Sequence, residues 1–165
     1  MKNVVFLLLA FVALNLHAGT PTGAGVDPSI EAKFQREFGL SLPVSWQIIE
    51  GCSVATFDDH GEVKQVYYYD DGEVFGRGRF ITRSLLPDTV SKSIDERFGS
   101  GSIQSAYEFK SNDSPVCYYV YVITPRHAIL VSANEYGVLG VRKKTKIKAQ
   151  AHLISYSAKD RATIH

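Results

Sequence analysis

Ile30, Phe34 and Phe38 recur every four residues in Pro28-Ser-Ile-Glu-Ala-Lys-Phe-Gln-Arg-Glu-Phe-Gly39. About 60 residues later Val90, Ile94 and Phe98 do the same in Leu86-Pro-Asp-Thr-Val-Ser-Lys-Ser-Ile-Asp-Glu-Arg-Phe-Gly99. Each spacing is the apolar stripe of a short amphipathic helix. Each stops on Phe-Gly, where glycine accepts the left-handed backbone that ends a helix. Ser29 is placed to cap the first helix. Four strand-like runs follow each one: Val44 to Glu50, Ser53 to Asp58, Glu62 to Tyr69 and Glu73 to Ile81, then Ile103 to Lys110, Val116 to Thr124, Ala128 to Asn134 and Val138 to Ile147. Gly51, Asp59-His-Gly61, Asp70-Asp-Gly72, Ser111-Asn-Asp-Ser-Pro115, Pro125-Arg-His127 and Glu135-Tyr-Gly137 punctuate them. A repeat constrains a fold more than any single motif, because both units must bury the same apolar pattern. The expected fold is α+β: two tandem repeats of a helix plus a four-stranded antiparallel meander, with the helices packed on one face of the sheet.

The N-terminus, Met1-Lys-Asn-Val-Val-Phe-Leu-Leu-Leu-Ala-Phe-Val-Ala-Leu-Asn-Leu-His-Ala18, has one cation, an apolar run and then small residues. That layout is a secretory signal peptide over 1–18, too short to be a membrane span with flanks. Cleavage is expected after Ala18, with Ala24 the second site. Residues 19–27 (GTPTGAGVD) read as a linker with too little apolar surface to fold. Residues 28–85 form repeat 1, 86–148 repeat 2, and 149–165 a C-terminal tail. The expected address is periplasmic or secreted, with no membrane span after signal cleavage.

Loss of Lys2 with the signal takes the formal charge from +1 to 0. A neutral chain has no long-range field with which to collect nucleic acid, so nucleic acid is not an expected partner. The short basic stretch Lys143-Lys-Thr-Lys-Ile-Lys148 reads as the solvated side of a last strand or tail.

Within "VSWQIIEGCSVATFDDHGEVKQVYYYDDGEVFGRGRFI" and "LPDTVSKSIDERF" several positions form a pattern: Trp46 in the first strand, Ala55 and Phe57 in the second, a turn ending in Gly61, Tyr69 before a turn with Gly72, and Leu86-Pro87 opening the next helix. On these positions the chain resembles the PepSY-like family of exported bacterial proteins, related in fold to beta-lactamase-inhibitor proteins. The resemblance implies that fold and a periplasmic or extracellular address. It implies no catalytic residues. Val74-Phe75, where a tryptophan is common, and the long tail after Arg142 depart from the family pattern.

Strand side chains alternate between faces, so Tyr68 faces away from Tyr67 and Tyr69. Aligning Cys52 with Cys117 and Gly72 with Gly137 puts Ala55, Phe57, Val66, Tyr68, Val120 and Val122 on the apolar, helix-covered side. The other side collects Tyr67, Tyr69, Tyr119 and Tyr121, with Thr56 and Gln65 between them. Tyrosine supplies large contact area with few rotatable bonds and a polar tip. These four are the candidate partner-binding residues; ordinary cross-strand aromatic pairing is the alternative account of them.

No catalytic residues, metal ligands or cofactors are expected. His60 lies beside Asp58, Asp59 and Glu62, but Asp-Asp-His-Gly is the composition that hairpin turns select. Gly76 and Gly78 alternate with Arg77 and Arg79, which marks a bend or a close backbone approach. Two cysteines in an exported chain usually pair. Cys52 and Cys117 fall at equivalent strand positions, however, and repeats joined at their first strands would hold them roughly 14 Å apart, beyond disulfide reach. The bond is left open. The function expected is a non-enzymatic exported binding module, a protein inhibitor or envelope sensor that engages another envelope or extracellular protein or peptide through its aromatic sheet face. The alternatives are a small-ligand carrier with a pocket between helix and sheet and, behind it, a hydrolase without a recognisable motif.

Overall fold

The computed structural model describes residues 25–39 and 42–147. The expected signal peptide over 1–18, most of the expected 19–27 linker and the expected 149–165 tail lie outside the described residues. Helix α1 spans Pro28–Phe38. Its cap is Asp27 rather than Ser29: the Asp27 carboxylate accepts a hydrogen bond from the Ser29 N–H at 2.7 Å, and Pro28 opens the first turn. Ile30 and Phe34 are buried beneath it, and Gly39 ends it at φ +104°. Val26 is buried as well. The end of the expected linker is therefore part of the fold, because one valine and a helix cap find partners there.

Four strands follow, β1 (Val44–Ile49), β2 (Cys52–Asp59), β3 (Glu62–Tyr68) and β4 (Val74–Ile81). A 3-10 turn at Arg83–Leu85 leads into α2 (Asp88–Phe98), and then come β5 (Ile103–Ser111), β6 (Cys117–Ile123), β7 (His127–Asn134) and β8 (Leu139–Lys146). Two tight hairpins use left-handed residues at both turn positions, Glu50 with Gly51 and His60 with Gly61, the geometry that matches the strands' own twist.

The expectation of two tandem repeats is overturned. Among the described residues all eight strands form one antiparallel sheet in the order β1-β2-β3-β4-β5-β6-β7-β8, a single meander accompanied by two α-helices. The halves meet at β4 and β5, from Gly76↔Ser111 to Ile81↔Ala106, and not at their first strands. The reason is hydrogen bonding: two separate four-stranded sheets would leave four edges of unpaired backbone, and merging them at β4–β5 leaves two.

Both helices cover the same sheet face. α1 packs Phe34 edge-on against Trp46 and Phe57, with ring centroids at 5.5 and 5.1 Å, and Trp46 lies 5.9 Å from Tyr68. α2 buries Val90 and Ile94 against Val120, Val122 and Val131. Between the helices the face is polar: Arg77 pairs with Glu37 of α1 at 2.6 Å, and Arg79 with Glu108 at 3.1 Å. Turns are held from above as well. Lys33 donates to the Asp71 and Gly72 carbonyls at 3.2 and 3.1 Å, and Thr89 donates to the Glu135 carbonyl at 2.6 Å.

Candidate functional site

The face away from the helices carries a second aromatic layer. Tyr67 of β3, Phe75 of β4, Tyr107 and Phe109 of β5 and Tyr119 of β6 pack there with Val54. No described element lies over them, yet they are buried, because the rings lie down across the sheet and cover one another. Tyr67 meets Phe75 and Phe109 edge-on, at 5.6 and 5.3 Å. Space for this comes from the two alternating glycines of β4. A β-carbon on Gly76 would stand 2.6 Å from the Phe109 ring, and one on Gly78 would stand 2.4 Å from the Tyr107 ring. The close backbone approach expected from the Gly-Arg alternation is made by these rings.

Two hydroxyls in this layer, those of Tyr67 and Tyr107, are tied to one amide. The Gln65 Oε1 accepts from the hydroxyls of Tyr67 at 2.8 Å and Tyr107 at 2.7 Å, the two hydroxyls stand 2.9 Å apart, and the Gln65 Nε2 donates to Thr56 Oγ1 at 3.0 Å. Burial, only partly offset by the hydrogen bond to Tyr107, pushes the Tyr67 phenol up to about 12. Burial likewise raises Tyr119 and Tyr107. These phenols are neutral and structural at ordinary pH, unfit as bases or nucleophiles.

The four candidate tyrosines share this face but not its exposure. Tyr67 and Tyr119 are 3% and 6% exposed and belong to the foundation. Tyr69 is 45% exposed, its ring 5.1 Å from that of Phe75, and Tyr121 is half-buried. The expectation that all four present their rings outward is corrected for Tyr67 and Tyr119: Phe75 and Phe109 close over the Tyr67 ring, and Tyr119, paired with Tyr107 across β5 and β6, is buried in the same cluster. Tyr107, Phe109 and Phe75 were missed. Their signal was legible, since Tyr107 and Phe109 alternate on β5 as Gly78 and Gly76 do on β4.

Cys52 and Cys117 are free thiols at the margin of the aromatic layer. β2 and β6 are separated by four strand intervals, roughly 19 Å along a sheet. The first-strand junction assumed in the sequence argument does not exist. Burial raises both thiols, with Glu50 and Asp70 adding to the effect at Cys52, which disfavours the reactive thiolate. His60 sits at its hairpin tip, fully exposed, with Nδ1 2.6 Å from Asp59, and Lys64 reaches the other Asp59 oxygen at 2.5 Å. Those contacts belong to a turn. Among the described residues no three of His, Cys, Asp and Glu converge as a metal site. The space between α1 and the sheet, where the carrier alternative places its pocket, holds the rings of Phe34, Phe57 and Tyr68, all nearly inaccessible.

No family model and no curated protein matches the sequence. Solved structures are similar in fold. A candidate periplasmic protein of Bacteroides eggerthii is 15% identical with a TM-score of 0.64, over 79% of this chain and 95% of that one. A DUF2874 family protein of Bacteroides uniformis is 13% identical with a TM-score of 0.63, over 78% and 94%. A BLIP-like protein of Bacteroides fragilis is 14% identical with a TM-score of 0.60, over 78% and 92%. The chain shares the fold of these proteins. Among its described residues no helix is long and apolar enough to cross a membrane.

Proposed function

We propose that this protein is an exported, non-enzymatic binding module of PepSY-like character that grips another envelope protein with the sheet face opposite its helices. The observation that carries the reading is the aromatic layer on that face, left without a covering element among the described residues and topped by an exposed Tyr69 and a half-buried Tyr121. A rigid, self-packed floor lowers the entropy lost on binding, and tyrosines at its surface supply area and hydrogen-bonding tips. The likeness in fold to a BLIP-like protein and to a candidate periplasmic protein agrees with a binding role and an envelope address. Within this reading Tyr69 and Tyr121 touch the partner, and Tyr67 and Tyr119 hold the floor beneath it.

The test is photo-crosslinking in the cell envelope, with a crosslinking residue placed at Tyr69, at Tyr121 and, as a control, at exposed Lys92 on α2. A discrete adduct at the two tyrosine positions and none at Lys92 is expected. Alanine at one or both tyrosines should cost about 2 kcal/mol of affinity with little change in melting temperature. Adducts at Lys92 alone would place the partner on the helices and end this reading.

A further inference from the structure

The two edges of the sheet are protected unequally. β8 carries Arg142, Lys143, Lys144 and Lys146, and its pairing with β7 is interrupted by a register shift at Leu130/Val131. Cations and bulges are what stops an edge from adding strands, since a second β8 laid alongside would set cation against cation. Among the described residues β1 has neither device. Val44-Ser-Trp-Gln-Ile-Ile49 contains no charge, proline or glycine, and it pairs with β2 through six consecutive partners without a shift. Ile48 is 52% exposed on it.

The turn decides which backbone groups face outward. Ile49 and Cys52 flank the two-residue Glu50-Gly51 turn, and the pair closing such a turn is hydrogen-bonded. Ile49, Gln47 and Ser45 therefore commit their N–H and C=O groups to β2. Val44, Trp46 and Ile48 aim theirs away from the sheet. A second β1 turned about a two-fold axis through Trp46 meets this edge in its own register. Val44 then stands opposite Ile48 of the second copy, Trp46 opposite its counterpart, and all three outward residues fall at hydrogen-bonded positions. The apolar Val44 and Ile48 pair on the helix-covered face, and no like charges oppose one another.

We propose that β1 is a self-association edge, at which two copies of this chain join antiparallel into one continuous sheet. The contact is self-complementary, as a two-fold interface requires. It is only six residues long and much smaller than a permanent dimer interface, so the dimer forms and dissociates with concentration. Both helix layers lie on one side of the joined sheet, and the two aromatic faces become one surface.

In this register Ser45 lies opposite Gln47 of the second copy as a non-hydrogen-bonded pair, with Cα atoms about 4.5 Å apart, inside the span of about 4.4–6.8 Å that a disulfide accepts. Both side chains are exposed. The experiment mixes purified Ser45→Cys and Gln47→Cys variants under mild oxidation, beside each variant alone and the wild-type chain to account for Cys52 and Cys117. A linked dimer at several-fold higher yield in the mixture than in any control is expected. Sedimentation of the wild-type chain should show a concentration-dependent dimer that shifts the fluorescence of Trp46, the chain's single tryptophan. Ile48→Lys should weaken that dimer at least tenfold. Three results overturn the proposal: a monomer at every concentration, which includes the case of an edge reserved for a foreign strand; a dimer that survives Ile48→Lys; or equal linking with and without mixing.

Discussion

The hydroxyl of Tyr107 occupies the space that a β-carbon on Gly78 would need: built there, that carbon comes within 2.2 Å of the oxygen. One strand has given up its side chains so that the next can lay its rings flat. This pairing, repeated by Phe109 over Gly76, lets the rings of that face bury one another with no second layer over them among the described residues.

Gly78→Ala is therefore an overpacking substitution rather than a loss of backbone freedom. It should destabilise the protein by about 1–3 kcal/mol, read as a lower urea midpoint at unchanged slope. Tyr107→Leu, which removes the obstructing hydroxyl, should make the added methyl at Gly78 cheaper, visible as coupling in the double mutant. Full stability of Gly78→Ala would show that the ring does not lie on the strand.

Adjacent tyrosines should respond oppositely to loss of one oxygen. The Tyr68 hydroxyl is buried under α1 with no hydrogen-bond partner among the described residues, so Tyr68→Phe should be neutral or stabilising, by up to about 1 kcal/mol. The Tyr67 hydroxyl bonds Gln65, and Tyr67→Phe should cost about 1 kcal/mol. Removing the whole ring at Tyr68 should cost about 3–5 kcal/mol. Thermal melts of the three variants decide it, and a Tyr68→Phe protein less stable than Tyr67→Phe would refute the assignment of faces.

Alkaline pH should unfold this protein through its phenols. Tyr67 and Tyr68 are raised to about 12 in the fold, in both cases chiefly by burial, against an ordinary value of 10. Between those values the unfolded chain binds fewer protons than the folded one, so stability falls as pH rises. Below pH 10 the contribution is complete, and it is lost from 10 to about 12. Urea midpoints across that window should decline, and Tyr67→Phe should flatten the decline. A midpoint independent of pH there would show that the phenols titrate alike in both states.

Processing must respect the buried start of the fold. The mature chain isolated from the envelope should begin at Gly19 or Gly25, because Val26 is buried and Asp27 caps α1. Intact mass measures this directly. A truncated protein lacking Val26 and Asp27 should melt at a lower temperature, because the burial of Val26 and the cap on α1 are lost together.

Local chemistry determined what the sequence alone could determine. The four-residue spacing through Ile30 and Phe34, the glycines after Phe38 and Phe98, and the acidic and glycine turns act over a few residues, where periodicity and φ preference decide the outcome. Strand parity is local too, and it places Tyr68 against α1 and Tyr67 on the far face. What the repeat in the sequence could not show is that its halves share one sheet, because the β4–β5 pairing joins residues about 30 apart and is chosen by the cost of unpaired edges. Nor could parity distinguish Tyr67 from Tyr69. They point the same way, yet one is 3% exposed and the other 45%. Tyr67 stands opposite Gly76, in mid-sheet, where Phe75, Phe109 and Tyr107 close over it, and Tyr69 lies past the end of the strand. That difference arises when non-local rings meet on a twisted surface, and only the tertiary structure decides it.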